Sequence, residues 1–448
     1  MGNGTVIGVN FDAKAAAAQG SVAESATRLV EALRGSVRDL DAQRIAEEST
    51  AADGPYPITR LSTDDFDRLR DRLAIPGVVT NEQAALLPRD PSFAPALLTQ
   101  VRKVVNDEVD GRVGWRVVTV NPNGLDADVL ADHDAQPAPA ITLSLSRQVQ
   151  NAAQQAVNAT NRFQIAMVVI QPSTGRILGV AQNPAADRQG PIATTGLYPP
   201  GSTFKMVTAA AAIENGLAQP DTMVPCPGVI EIGPRSIPNY DRFSLGTVPM
   251  LRAFAQSCNT TFAQLASRMG PADLPHAAAA MGVGQQYTIP GLDAVSGSVP
   301  IANDLVARSV DGFGQGKVLV SPLGLALVAA TVANNGTAPV PQLILNRPTT
   351  VEGPKASLSR DVVDQLRPMM RAVVTSGTGT AIAGLGEIYG KTGEAEYSGG
   401  SHAWFAGYRG DLAFATLVVS GGDSNNAVGV TRDFFSSLPP GYGTAPAS

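Results

Sequence analysis

At 448 residues the chain is too long for one ordinary hydrophobic core, so two or three domains are expected. A net charge of -6 and a pI near 5.2, with no basic stripe to offset the acid, argue against a nucleic-acid binder. The 44% hydrophobic content fits a folded globular protein, and only six Lys stand against 27 Arg.

The opening carries no charged segment leading into an apolar stretch, so no secretory signal is legible there. Val6 stands where a myristoylation signal needs Ser or Thr, and no later run of apolar residues is long enough to cross a membrane. The chain reads as starting inside a domain, with any membrane anchor lying outside it. Thr5 to Phe11 alternates as a strand does, and Ala23 to Leu33 and Asp64 to Leu73 carry helical spacing of apolar residues. The charges between Arg60 and Arg72 read as a solvated helix face. Pro91 to Val105 predicts another helix and Trp115 to Val120 a strand. Ala135-Gln136-Pro137-Ala138-Pro139 is a Pro-rich hinge, which sets a domain of residues 1–135 apart from one of residues 136–437.

Beyond the hinge, Ser144 to Ala156 predicts a helix. Ile165 to Gln171, the turn Pro172-Ser173-Thr174-Gly175 and Arg176 to Ala181 predict a hairpin. An Ala-rich, mainly helical stretch follows, then strands over Glu387 to Lys391, His402 to Tyr408 and Phe414 to Ser420; residues 438–448 read as a loose tail. Strands at both ends with helices between predict an α+β fold, an antiparallel sheet packed against helices, preceded by a smaller α+β domain. Cys226 and Cys258 pair in an oxidising compartment or remain two buried thiols; both readings are open. His133, His276 and His402 lie far apart, so no metal site, no His-based triad and no cofactor is expected.

Three short stretches carry chemistry. In Tyr198-Pro199-Pro200-Gly201-Ser202-Thr203-Phe204-Lys205 the prolines forbid helix before them, and the apolar run Met206 to Ile213 ends at Asn215-Gly216, a helix stop. Ser202 is thus expected at the start of a buried helix, with Lys205 one turn along on the same face. A serine hydroxyl is a weak nucleophile until a base takes its proton, and a lysine amine does so once burial lowers its pKa. The alternative is a serine cap with a snorkelling lysine. In Ser257-Cys258-Asn259 a hydroxyl and a carboxamide two residues apart can face one cleft, the first to relay a proton and the second to bind an amide. Ser424-Asn425-Asn426 matches the same pattern, but lies in a Gly/Asp/Asn turn, whereas Ser257 precedes an amphipathic helix from Thr261 to Met269. In Lys391-Thr392-Gly393, at a strand end, a cation and a hydroxyl can hold a carboxylate while Gly393 leaves room for close approach; a strand end with a surface lysine is the alternative.

These three elements, in this order, resemble the transpeptidase domain of penicillin-binding proteins. Thr174-Gly175-Arg176-Ile177-Leu178, Gly314-Gln315-Gly316 with Ser321-Pro322-Leu323, Thr375 to Thr380, and Ala403-Trp404-Phe405-Ala406-Gly407-Tyr408 extend the likeness over residues 139–437. Residues 1–135 resemble the latter part of the pedestal (dimerisation) module of class B enzymes, and the chain as a whole is similar to a class B high-molecular-mass penicillin-binding protein of the lipoprotein kind.

The resemblance implies a peptidoglycan D,D-transpeptidase. Ser202 is then the nucleophile and Lys205 its base; Ser257 passes a proton to the leaving D-alanine nitrogen and Asn259 holds a substrate amide. Lys391 supports the electrostatics around Ser257, Thr392 and Gly393 receive the terminal carboxylate, and the backbone N–H groups of Ser202 and Glu394 form the oxyanion hole. The implied partners are stem peptides (a D-Ala-D-Ala donor and an amine acceptor), β-lactam antibiotics and cell-wall synthesis or division proteins, and the implied place is the extracytoplasmic face of the plasma membrane. Glu394 departs from the usual Thr or Ser of the family. Its carboxylate should repel a substrate carboxylate unless it points away, and Glu394→Thr should then speed acylation by some β-lactams. A β-lactamase or carboxypeptidase, in which water is the acceptor, and a β-lactam sensor without turnover are the competing readings; a pedestal-like first domain argues against a β-lactamase and a sensor. Gly312-Phe313-Gly314-Gln315-Gly316-Lys317 mimics a phosphate loop but is one residue short between its outer glycines and has Val318 where a metal-binding hydroxyl is needed.

Overall fold

The computed structural model describes residues 2–37, 40–87, 90, 93–110, 115–120, 126–133, 141–354 and 356–443. They divide into two compact units, one of Met1–Ser92 with Arg102–Ala140 and one of Phe93–Val101 with Ile141–Ser448. The Pro-rich hinge at 135–139 lies outside the described residues, as do Pro91 and residues 444–448 of the expected tail.

In the first unit, β1 (Gly2–Phe11) is the middle of a three-stranded antiparallel sheet between β2 (Tyr56–Ser62) and β3 (Val78–Leu87). Val9 and Phe11, two apart and therefore on one face, are fully buried with Leu29 and Leu33. Those leucines sit four apart on α1 (Val22–Leu33), whose first turn is capped by Ser21 accepting from Glu24 N. The helix expected over Asp64 to Leu73 is an α-turn from Thr63 to Leu69 continued by a 3-10 turn from Arg70 to Leu73. A separate hairpin joins β4 (Trp115–Val120) and β5 (Asp126–His133).

The second unit is built on a five-stranded antiparallel sheet. β6 (Gln164–Ile170) and β7 (Ile177–Gln182) form the expected hairpin, and β8 (Ile388–Tyr397), β9 (Gly400–Arg409) and β10 (Leu412–Val419) complete the order β8-β9-β10-β6-β7. One sheet face packs on α2 (Arg147–Val157), where Val149, Ala153 and Val157 recur every four residues, and on α3 (Asn425–Ser437). Phe405, Phe414, Phe434 and Phe435 fill that layer, each fully buried aromatic contributing about 1.5–3 kcal/mol. Against the sheet, in contact with β6, β9 and β10, lies a helix from Pro322 to Ala333 that is buried on every side except at its last residue.

Two expectations are corrected here. The strand expected to end at Lys391 runs on to Tyr397, because β9 pairs with it all the way from Ile388–Arg409 to Tyr397–Gly400. Ser424-Asn425-Asn426, set aside as a turn, opens α3. The open cysteine question is also resolved: Cys226 and Cys258 form a disulfide.

Candidate active site

Pro199 and Pro200 lead into a 3-10 turn from Gly201 to Phe204, and the α-helix proper begins at Lys205 and runs to Glu214. Gly201 takes a left-handed φ of 52°, and its N–H donates to Gly314 O at 2.8 Å. A side chain on Gly201 would sit 2.3 Å from Glu394 O, and one on Gly393 would sit 2.8 Å from Pro200 O. The free edge of β8 therefore lies directly against the Ser202 turn. Gly393 makes room for the backbone of that turn. The phosphate-loop mimic has a structural task as well, since a Cβ on Gly314 would fall 1.9 Å from Gly201 O, and Gly312 O accepts from Thr208 Oγ1 at 2.6 Å.

Lys205 and Lys391 are fully buried, and none of the ion pairs found among the described residues involves either. Lys205 Nζ lies 2.9 Å from Ser202 Oγ, 2.8 Å from Ser257 O, 3.3 Å from Ser257 Oγ and 2.6 Å from Asn259 Oδ1. Lys391 Nζ donates to Ser257 Oγ at 3.0 Å and to Thr392 O at 3.0 Å. The rings of Phe262 and Phe254 stand 5.8 and 5.7 Å from Lys205 Nζ and Lys391 Nζ. Burial pushes Lys205 well below the ordinary lysine range, and the neighbouring Lys391 charge pushes it further; burial alone brings Lys391 down to about 7.

The consequence for Ser202 follows from counting protons. A neutral amine has two N–H bonds and one lone pair. Ser257 O and Asn259 Oδ1 can only accept, so they take the two N–H bonds of Lys205. The lone pair is left for the Ser202 hydroxyl. When Lys205 is neutral, these contacts aim its lone pair at the Ser202 hydroxyl, the position a base needs.

The second stretch is positioned by strain and by a buried amide. Ser257 adopts a left-handed φ of 62°, uncommon for a residue with a side chain. Asn239 Oδ1 accepts from Asn259 N at 2.7 Å and Thr260 N at 3.0 Å, capping the helix from Asn259 to Ser267. Its Nδ2 donates to Pro227 O and Phe243 O, both at 2.9 Å, which ties the loop to the helix start. The Cys226–Cys258 bond fastens the residue between Ser257 and Asn259 to the strand from Met223 to Cys226.

The cleft opens on either side of Ser202 into hollows of about 310 and 350 Å³, both also reached by Tyr240, Asn259, Glu394 and Glu396. Arg235 and Phe313 line one; Thr378, Thr392 and Ser424 line the other. Thr392 Oγ1 and Thr378 Oγ1 share a short hydrogen bond. The Glu394 carboxylate accepts from Ser401 Oγ at 2.6 Å on β9, yet the residue still borders both hollows.

All eight residues singled out from sequence, Ser202, Lys205, Ser257, Asn259, Lys391, Thr392, Gly393 and Glu394, thus meet around one cleft. Sequence reasoning missed Asn239, Tyr240 and the 423–425 segment. Asn239 acts through contacts 20 residues away, which no local pattern announces. Thr378 falls within Thr375 to Thr380, one of the stretches that carry the family resemblance. Among the described residues no cluster of His, Cys, Asp or Glu is placed to hold a metal.

Residues 165–436 match the family model described as penicillin binding protein transpeptidase domain. The peptidoglycan D,D-transpeptidase PbpA of Mycolicibacterium smegmatis is 33% identical over 346 residues, which cover 64% of this chain and 69% of that relative. A ceftriaxone acyl-enzyme of penicillin-binding protein A from Mycobacterium tuberculosis superposes with a TM-score of 0.60 at 26% identity, over 68% of this chain and 81% of the other. Penicillin-binding protein PBP2 of Helicobacter pylori, solved in complex with MreC, shares the fold over 97% of this chain and 94% of its own, with a TM-score of 0.72 and 18% identity.

Proposed function

Since the chain belongs to the penicillin-binding protein transpeptidase family, we propose that it cross-links peptidoglycan stem peptides as a serine-type D,D-transpeptidase, with Ser202 as nucleophile. The observation that carries this reading is the 2.9 Å contact between Ser202 Oγ and the fully buried Lys205 Nζ, whose pKa burial pushes well below the ordinary lysine range. Lys205 Nζ takes the hydroxyl proton as Oγ forms a bond to the carbonyl carbon of the penultimate D-alanine. The negative charge on the carbonyl oxygen falls to the N–H groups of Ser202 and Glu394. Ser257 Oγ, 3.0 Å from Lys391 Nζ, gives its proton to the departing D-alanine nitrogen as the C–N bond breaks, and takes the one that Lys205 Nζ, 3.3 Å away, received from Ser202. An amine of a second stem peptide then attacks the ester carbonyl and passes its proton to Lys205 Nζ, which hands it to Ser202 Oγ as the ester C–O bond breaks. Thr392 and Thr378 receive the terminal carboxylate, and Asn259 orients the donor amide.

A β-lactam meets the same nucleophile, as the ceftriaxone adduct of the M. tuberculosis relative illustrates. Peptidoglycan as substrate puts the reaction on the extracytoplasmic face of the plasma membrane. Residues 1–135 act in this reading as a pedestal, and the partner class it implies is a cell-wall synthesis or division protein.

The test is a peptide ending in D-Ala-D-Ala, incubated with the protein and an amine acceptor. A new amide to the acceptor with release of D-alanine is expected. Release of D-alanine without transfer makes it a carboxypeptidase, and continuous hydrolysis of penicillin makes it a β-lactamase; either result overturns the proposal.

A further inference from the structure

The phosphate-loop mimic contributes no reacting group, yet the Ser202 turn is tied to it on both sides. Gly314 O accepts from Gly201 N at 2.8 Å, just ahead of Ser202, and Gly312 O accepts from Thr208 Oγ1 at 2.6 Å, three residues beyond Lys205. Farther along, Val320 and Tyr198 exchange two backbone hydrogen bonds of 2.9 and 3.0 Å. Phe313, Gln315 and Gly316 of the same segment line one of the two hollows.

The segment is held in turn by the residue before it. Asp311 ends a helix that begins at Leu305. Its carbonyl accepts from Gly314 N at 2.9 Å, and its carboxylate Oδ1 accepts from Lys317 N at 3.0 Å, six residues on. The loop from Gly312 to Gly316 is thereby closed across its mouth. Its fit is tight, since a side chain on Gly316 would sit 2.4 Å from the same Oδ1. Asp311 is 3% exposed, and none of the ion pairs found among the described residues involves it. Buried aspartates are rare unless paired, because a carboxylate loses its hydration on burial. Burial accordingly raises the Asp311 pKa, and the Lys317 N–H and ammonium oppose the rise. A small apolar residue would be easier to bury at this position; what the carboxylate adds is the closure of the loop.

The link to chemistry is geometric. Ser202 has to bring its Oγ to the substrate carbonyl carbon and its N–H to the carbonyl oxygen at once, and a misplacement of about 1 Å in such an arrangement costs up to roughly a hundredfold in rate. The Gly201 N–H finds its acceptor on the loop, so a displacement of Gly314 O reaches Ser202 through a single residue.

We propose that Asp311 is a positioning residue for Ser202 acylation, acting through the closed 312–316 loop and the hydrogen bond from Gly201 N to Gly314 O. Its part in acylation rests on the proposed transpeptidase reading; the closure rests on the contacts of Asp311 itself.

Stopped-flow acylation with a chromogenic β-lactam, taken to saturation, separates rate from binding. Asp311→Ala should lower the saturating rate by roughly ten- to a hundredfold and leave the half-saturating concentration nearly unchanged. Asp311→Asn, whose Oδ1 still accepts from Lys317 N, should restore the rate, which a loss of bulk stability would not explain. Asp311→Val, closer in bulk, replaces the Ala variant if that one does not fold. Amide hydrogen exchange read by NMR should show Lys317 N–H protected in the unsubstituted chain, and Gly201 N–H losing protection in the Ala or Val variant. An unchanged saturating rate in that variant, an Asn variant as slow as it, or free exchange at Lys317 in the unsubstituted chain overturns the proposal. If the β-lactam forms no adduct with the unsubstituted chain, the transpeptidase reading fails on its own account, and Gly201 protection retained in the variant still refutes the tie to the nucleophile turn.

Discussion

Lys205 sits among a hydroxyl, a backbone carbonyl, a carboxamide oxygen and a second lysine, and its proton inventory governs the chemistry of Ser202. Both lysines are buried, neither is in an ion pair found among the described residues, and burial lowers the pKa of each, that of Lys391 to about 7. Asn259→Asp tests this at nearly constant shape. A carboxylate 2.6 Å from Lys205 Nζ would favour the ammonium form and raise the lysine pKa. Penicillin acylation of the variant should be slowed at pH 7 and should recover as pH rises; a pH–rate profile superimposable on that of the unsubstituted protein would refute the role given to Lys205. Lys205→Met should lower the acylation rate by about 10²–10⁴-fold, the range of a lost general base.

At the scale of elements, the site depends on how the helix from Asn259 is started and how β8 is backed. Asn239→Leu would leave Asn259 N and Thr260 N without their acceptor, at a cost of about 1–3 kcal/mol for each buried group. A lower melting temperature together with slower acylation is expected, measured by a thermal scan and by stopped-flow with a chromogenic β-lactam; unchanged values for both would deny Asn239 its positioning role. This is also where sequence stops being informative. The Ser202, Ser257 and Lys391 stretches were legible because their chemistry is packed into three or four residues each. The hairpin of β6 and β7 was legible because Pro172 to Gly175 punctuates two apolar runs. The length of β8 was not, since Gly393 resembles a strand end until its pairing with β9 is known. The 423–425 segment was misread because its turn-like composition conceals a helix start, and its place on the wall of a hollow is set by tertiary packing.

For the molecule as a whole, two buried amines are a standing cost to stability. Lys391 titrates near 7 when folded and near 10.4 in an unfolded chain. Between those values the unfolded state binds a proton that the native state does not, so stability from this residue should rise with pH from about 7 to about 10 and be lowest below 7. Lys391→Met should remove that slope and raise the melting temperature at pH 6 while impairing acylation, the trade expected where a functional group is buried against its own solvation. Denaturant unfolding at pH 6 and pH 9 measures the slope directly, and an identical pH dependence in the variant would contradict it.

The central claim is that Ser202 is the nucleophile and that Lys205 makes it one. Intact-mass spectrometry after incubation with penicillin, followed by peptide mapping, tests it most directly. One stable adduct is expected, located on Ser202, absent from Ser202→Ala and formed far more slowly by Lys205→Met. An adduct on any other residue, or one that persists in Ser202→Ala, would contradict it.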